Sequence, residues 1–453
     1  MRSSVLPAAS WQRILLTSLL ACCGLLMATN VKAIPLQVDF QDTDLKVKLT
    51  QNAQILEDVT GNRTLTQVQN DQRWTDFHAD ALNFAFNQSS WWIRVRLHNA
   101  QSHEASRVLE VGSALQDEID VYVVRAKKAH VEHFATGDRR LFESRPVSTR
   151  VPSLPMHFEP GEQVDVYLKM STHDGLHEIV APTLWTAKEY AGSMQLENLL
   201  YGLYYGALLT GMLYHLFLFI STRQLNFGLY VLYASVFLLW GLTFKGYSFQ
   251  YFWPDSPNFN NQILAISASG SYCFFALFMI AHHNTEYRLL PWMNKLMMVA
   301  IALNALSTIP AYFDQYALAF ALNIPAGIFL MLSTYLVNSM MLQRGSKPAK
   351  YQTLSFSALS LGVLLYYSLI LDIIPPNAIN ENGLLFGSGA QILLLAFALA
   401  DQMNRLKDGK LRAERATLAA QAALNAELEG LVKRRTKALE AANQKIIDSD
   451  RHP

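Results

Sequence analysis

Cysteine is scarce in this chain. Its 453 residues hold three, Cys22 and Cys23 in the first apolar stretch and Cys273 in a distant one. Once an N-terminal leader is removed no intrachain disulfide remains, so an exported domain must hold together by its core alone. Charge is sparse too, at 16% of residues, and 37 basic against 36 acidic side chains leave a net charge of +1. That balance argues against general polyanion binding, and no basic stripe alternates with aromatics, so nucleic acid is not an expected partner. The sequence shows no Gly-rich phosphate cradle followed by Lys, no HExxH site and no paired acidic cyclase motif, and His452 lacks the acidic helical surroundings of a phosphoacceptor. No enzymatic output and no cofactor are expected from these residues.

What is present is apolar. Hydrophobic residues make up 51% and mean hydropathy is +0.13, too high for an ordinary soluble protein. The average hides a division. Residues 1–33 carry Arg2 and Arg13 before an apolar core from Ile14 to Met27, with Val31 and Ala33 as a small-residue cleavage site; this is signal-peptide length, with an uncleaved anchor as the rival. Residues 34–190 are mixed, 198–403 are dominated by Leu, Ala, Phe, Tyr and Met, 404–447 are rich in Ala, Lys, Arg, Glu and Gln, and 448–453 form a tail.

In 34–190 the apolar pattern has period two, which predicts strands with one buried face. WWIRVRLHN sets Trp92, Arg94 and Arg96 against Trp91, Ile93, Val95 and Leu97. EIDVYVV sets Ile119, Val121 and Val123 against Asp120, Tyr122 and Val124, and QVDVYLKM repeats the arrangement, with turns at FEPGEQ and STHDGLHE. The fold expected is an all-β, jelly-roll-like sandwich. Trp92, Arg94, Asp117, Tyr122 and Arg145 offer the planar surfaces and charged hydrogen-bond partners that a sugar or acidic small molecule needs; the alternative is aromatics that fill a barrel mouth and charges that are solvated. His130 with His133 and His173 with His177 are not joined by further ligands, so no metal site is expected.

Seven apolar segments follow, at 199–220, 226–244, 262–281, 296–313, 316–341, 351–372 and 384–403, most near the length of about 20 residues that spans the hydrocarbon layer. The fourth is the least defined, which leaves six or eight open. Arg223, Arg288, Lys295, Arg344, Lys347, Lys350, Arg405, Lys407 and Lys410 fall in connections on one side, while the other side has Lys245, Asp255, Asp314 and Glu381. The positive-inside rule then places the β-domain outside the membrane and the last helix inside. The outer loop GYSFQYFWPD puts Tyr247, Tyr251, Phe252 and Trp253 near the interface. His215, Asp372 and Asp401 are the ionisable groups in or at the ends of spans, too few for a proton relay or coupled transport, and no mid-span Lys suits a retinal pigment. Gly202, Gly206 and Gly211 suit either close helix approach or ordinary packing.

Beyond Leu406 the chain is predicted to be one amphipathic helix. Leu411, Leu418, Asn425, Val432, Leu439 and Ile446 recur every seven residues, with Leu428 and Ala442 at d positions that Glu414, Gln421 and Arg435 share. This is a weak parallel coiled coil whose imperfect seam can be biased from above, or else an isolated surface helix.

These segments together resemble bacterial seven-transmembrane receptors with diverse intracellular signalling modules. WWIRVRLHN, LEVGSALQDEIDVYVV and VDVYLKMST resemble strands of that family's larger, type 2 extracellular module. LLYGLYYGALLTGMLYHLFLFISTRQLNFGLYVLYASVFLLWGLTFKGYSFQYFWP resembles its first two spans, and LLLAFALADQMNRLKD and ELEGLVKRRTKALEAANQKI its final span and linker. The resemblance implies a periplasmic cue, with carbohydrate or another small ligand as the chemistry. It also implies a bacterial inner membrane and a histidine kinase or diguanylate cyclase output partner, in a longer polypeptide or a separate protein, while the heptad stripe predicts a homodimer and the apolar spans predict contact with membrane lipid. The expected architecture is a mixed membrane protein: jelly-roll-like periplasmic domain, seven-helix transmembrane bundle and C-terminal coiled-coil helix. A transport or ligand-delivery component and a noncatalytic adaptor are the other readings.

Overall fold

The computed structural model describes residues 36–84, 87–125, 131–282, 291–345, 347–370, 373–374 and 377–450. The leader at 1–33, His130, Arg288, Asp372 and residues 451–453 of the tail lie outside the described residues.

Two sheets pack face to face. The larger runs β4 (Thr75–Phe77), β3 (Ala53–Asp58), β5 (Ser90–Asn99), β10 (Gln163–Ser171), β7 (Glu118–Arg125) and β8 (Val131–Thr136), with β1 (Gln37–Phe40) parallel to β5. The smaller runs β2 (Lys46–Lys48), β11 (Thr183–Thr186), β6 (Ala105–Glu110) and β9 (Ser153–Phe158). Alternation fixes the faces. Ile93, Val95, Leu97, Ile119, Val121, Val123, Val164, Val166, Leu168 and Met170 point inward from the large sheet and meet Leu109, Leu154, Met156, Phe158 and Leu184 from the small one, as side chains of period-two strands must when one face is buried.

The outer face of the large sheet is also partly covered. Helix α1 (Leu65–Gln69), closed by a capping box between Thr64 and Gln67, lays Val68 over it, and Trp74 Nε1 donates to Val68 O at 2.8 Å. Trp92 is thereby fully buried.

Strand β11 runs straight into the helical region. Thr186 caps α2 (Ala187–Thr222), its side chain accepting from Glu189 N, and such a cap satisfies one of the orphan N–H groups of a helix start. The helix therefore begins twelve residues before the apolar segment that starts at 199, because AKEYAGSMQLEN is polar yet mostly good helix formers, with Gly192 the exception. Helices α3 (Leu225–Phe244), α4 (Tyr247–Tyr251), α5 (Pro257–His282), α6 (Pro291–Leu306), α7 (Ile309–Tyr312), α8 (Tyr316–Gln343), α9 (Lys347–Ile370), α10 (Ala378–Glu381) and α11 (Gly383–Asp450) follow.

Among the described residues five helical stretches are long and apolar enough to cross a membrane, at 187–222, 225–244, 257–282, 291–312 and 316–343. Helix α9 and the start of α11 pack closest of all: a Cβ on Gly362 would lie 2.4 Å from Gly383 O and 2.9 Å from Gly387 Cα. Close approach thus occurs at these glycines and not at Gly202, Gly206 or Gly211, where an added Cβ meets nothing within 4 Å. His215 is a packing residue, buried with its Nδ1 bonded to Gly211 O at 2.7 Å. Helix α11 continues for 68 residues, roughly 100 Å at about 1.5 Å per residue, without a break at 404.

Candidate functional site: the outer sheet face and the domain junction

Cross-strand register brings one set of the expected site residues together. Arg94 of β5, Tyr167 of β10, Tyr122 of β7 and His133 of β8 stand opposite one another in a row, and residues directly opposite share a face. Trp92 stacks on Tyr122 with ring centroids 5.7 Å apart, and Tyr122 on His133 at 4.4 Å. Arg94 lies over the Trp74 ring at 4.5 Å and donates to Gln54 Oε1 at 2.7 Å. Trp92 and Arg94 are buried, whereas Tyr122 is half-buried and His133 exposed. Beside them Asp120 accepts from both Arg140 nitrogens, at 3.1 and 3.2 Å, and contacts His133 Nε2 at 2.9 Å. The exposed part of the face is thus an aromatic edge next to a fixed carboxylate and two cationic or titratable side chains.

Asp117 and Arg145 are elsewhere, at the end of the β-domain that meets the helices. Asp117 Oδ2 accepts from His173 N at 2.6 Å and from Thr172 Oγ1 at 3.2 Å. Arg145 lies over the rings of Phe142 at 4.6 Å and Phe249 at 5.5 Å, and its Nη1 donates to Thr149 O at 2.9 Å and to Arg150 O. Burial pulls the Arg145 guanidinium down to about 10, since a low-dielectric setting disfavours the charged form.

This end forms a docked interface. Phe142 N donates to Pro254 O at 3.0 Å, and Gln250 Nε2 to Ser148 O at 3.2 Å. Phe142 and Phe249 meet edge to face at 5.6 Å. Arg150 pairs with Glu197 at the start of the bundle and covers Tyr201 and Tyr247. Gly246, at φ 81°, admits the β-domain so closely that a Cβ would be 2.8 Å from Ala114 Cβ, a backbone position and a distance that suit glycine. Asp314, between α7 and α8, adopts φ 62°, a left-handed conformation that Asp tolerates. From there its carboxylate takes Arg139 at 2.9 and 3.2 Å and His173 Nε2 at 3.0 Å. The Arg139 hydrogen bonds hold the Asp314 carboxyl below its ordinary value.

Leu411, Leu418, Leu428, Val432, Leu439 and Ile446 are all exposed on α11, as is Asn425. Leu424 and Leu431, not counted in the seam, are exposed beside them.

The sequence reading missed the junction. Arg139 and Phe142 carried no motif, Phe249 stood in the quoted GYSFQYFWPD loop without being singled out, and His173 drew attention as a metal candidate rather than as a partner of Asp314. A usable signal existed in the outer loop, where Tyr251 and Phe252 stay exposed while Ser248 and Phe249 are buried, more than lipid-interface anchoring accounts for.

Comparison with known families gives two matches. A family described as 7TM diverse intracellular signalling matches residues 197–402, and one described as 7TMR-DISM extracellular 2 matches residues 50–186. No curated protein matches the chain.

Proposed function

The chain belongs to the bacterial seven-transmembrane receptors with diverse intracellular signalling modules and carries their type 2 extracellular module, and from that premise we propose how its parts act. The family couples a periplasmic sensory module to downstream signalling partners such as histidine kinases or diguanylate cyclases, and the membrane module is a noncatalytic signalling unit. In our reading this receptor is a homodimer of the inner membrane. A jelly-roll-like domain at 34–190 receives the cue, seven spans at 198–403 carry it, and the 404–447 helices form a cytoplasmic coiled coil that delivers it to such an output module.

The observation that carries this reading is the unbroken α11. Its first turns are clasped to α9 by Gly362 and Gly387, and its far half presents the exposed heptad stripe, so displacement at one end is displacement at the other. At the opposite end β11 passes into α2 through the Thr186 cap, and the junction ties the β-domain to the outer loops. A carbohydrate or other small ligand is read by Tyr122, His133, Asp120 and Arg140 on the exposed outer face, with Trp92 and Arg94 supporting them from beneath. Asp117 and Arg145 belong to transmission. A ligand shifts the receptor only through different affinities for its two arrangements.

Sidedness tests this directly. In a Cys273→Ser background, a cysteine at Glu104 should react with a membrane-impermeant thiol reagent in intact spheroplasts, and one at Leu418 only after permeabilisation. Reaction of both from the same side contradicts the reading.

A further inference from the structure

Three carboxyl groups at the junction are left over from the ion pairs described above. Asp138 follows Gly137, where φ is 137° and a Cβ would lie 2.1 Å from Asp117 O, and its own N–H donates to Gln116 O at 3.0 Å. The backbone therefore pins Asp138 against Asp117. Asp138 is 1% exposed, and beyond the approach of the Asn261 amide from α5 its carboxylate oxygens have no well-formed hydrogen bond among the described residues. Facing it are Asp117, Glu178 and Arg145 from its own domain and the Asn261 amide from α5. Arg145, 5% exposed, leaves Nε and Nη2 without partners.

Glu178 is the second acid. Ser113 Oγ approaches its Oε2 at 3.4 Å, Asp117, Asp138 and Asp174 face it from the β-domain, and Lys245 and Tyr366 face it from the bundle. Asp117 is the third, faced by Asp174, Arg139 and Asp138, and by Tyr316 from α8. Lys245 has Arg150, Glu178 and Glu381 about it. Each acid thus looks onto a group of the helical bundle as well as onto another acid; Asp117 and Glu178 are half-buried, while Asp138 is fully buried, and a buried carboxylate with so little pairing is costly unless it is protonated.

We infer that this carboxyl cluster is a proton-binding input: protonation favours docking of the β-domain on the bundle, and a rise in periplasmic pH loosens it. The inference rests on the coupling role proposed for the junction. Burial pushes Asp138 well above the ordinary carboxyl range, with the Asp117 charge adding to it. Asp117 is raised by burial despite the His173 N–H, and burial raises Glu178 to about 7.

A carboxyl that is solvated on undocking returns toward its ordinary value, so the docked state binds its proton more tightly. Docking is therefore fully favoured below the undocked value and loses that support as pH rises through the docked one, which for Glu178 is the interval from 4.5 to about 7. Lys245 acts in the opposite sense, since burial lowers it to about 8. Below that value its cost to docking is constant, so it leaves the slope across the acid interval unchanged.

The test uses the full chain in lipid nanodiscs with Cys273→Ser and nitroxide labels at Glu143 and Asp255. Both residues are exposed, and they adjoin the Phe142 N to Pro254 O bond. Dipolar broadening of the spectrum reads docking between pH 5 and 8. The docked-to-undocked ratio should fall by roughly 10- to 100-fold across that range, as linkage requires of a Glu178 carboxyl that moves between 4.5 and about 7. Glu178→Gln should flatten the curve, and Glu178→Gln with Asp138→Asn should stay docked throughout. Constant broadening of the parent protein, or a parental pH response in folded Glu178→Gln, overturns the inference. A second sample labelled at Val432 separates the two readings: a junction that responds to pH beneath a silent exit helix upholds the proton site and removes the coupling role.

Discussion

Gly387→Ala probes the root of the exit helix with a single methyl group. The new Cβ would sit 2.7 Å from Ala358 O and 2.9 Å from Gly362 Cα, against ordinary contact beginning at 3.4 Å. Both obstacles are backbone, so no side chain can swing aside, and the α9 and α11 axes must part by several tenths of an ångström. Overpacking of that kind costs about 1–3 kcal/mol, offset in part by the better helix propensity of Ala, at most about 1 kcal/mol. Gly206→Ala is the matched control, because its Cβ meets nothing within 4 Å and it gains propensity without a clash. Thermal unfolding in nanodiscs, followed by intrinsic fluorescence, should show a lower midpoint for Gly387→Ala and an unchanged or higher one for Gly206→Ala. Equal midpoints for the two variants would refute the claim that Gly362 and Gly387 set the closest helix contact. In the same samples, labels at Val432 should report an altered exit helix in Gly387→Ala alone.

Other substitutions separate folding from recognition and transmission. Trp92→Ala empties a fully buried site and should cost about 3–5 kcal/mol in the β-domain unfolding transition, whereas Tyr122→Ala should leave that transition nearly in place while weakening ligand binding in a glycan or small-molecule titration. Glu162→Gln leaves Arg125, held at 3.0 Å by both Glu162 oxygens, with Glu132 as its remaining ion-pair partner; loss of a buried partner costs about 3–5 kcal/mol, and Glu132 moves the expectation to the low end of a denaturant titration. Asp314→Asn weakens two partly exposed contacts, to Arg139 and His173, so it should cost about 1 kcal/mol or less in stability while shifting the docking signal from labels at Glu143 and Asp255.

The strands at 90–99, 118–125 and 163–171 were legible because each buries one face, and period two names which residues go inward. That pattern is silent about what covers the other face. Alternation set Trp92 on the face opposite Ile93, Val95 and Leu97, and there α1 and Trp74 bury it, a contact between segments that no spacing encodes. The junction was illegible for a similar reason. Its groups come from the loops at 112–117, 137–150, 172–178, 245–254 and 314, and each residue is ordinary until Asp314 meets Arg139 and His173. Glycine spacing left two readings open on α2, and an added Cβ at Gly202, Gly206 or Gly211 meets nothing within 4 Å, because a small residue marks close approach only when a partner helix is there to use it. The exit helix was the most legible element, since helix formers without proline run through to Ile446 and heptad spacing persists alongside them.

Transmission through this receptor requires that the junction and the exposed stripe of α11 move together. Single cysteines at Leu411, Leu418, Asn425, Val432, Leu439 and Ile446, in a Cys273→Ser background, are to be oxidised in native membranes with the junction intact and with Asp314→Asn. Interchain disulfides that are strong along this stripe, weak at flanking positions and redistributed by Asp314→Asn are the predicted result. A profile without heptad periodicity, or one identical in the two backgrounds, would contradict it.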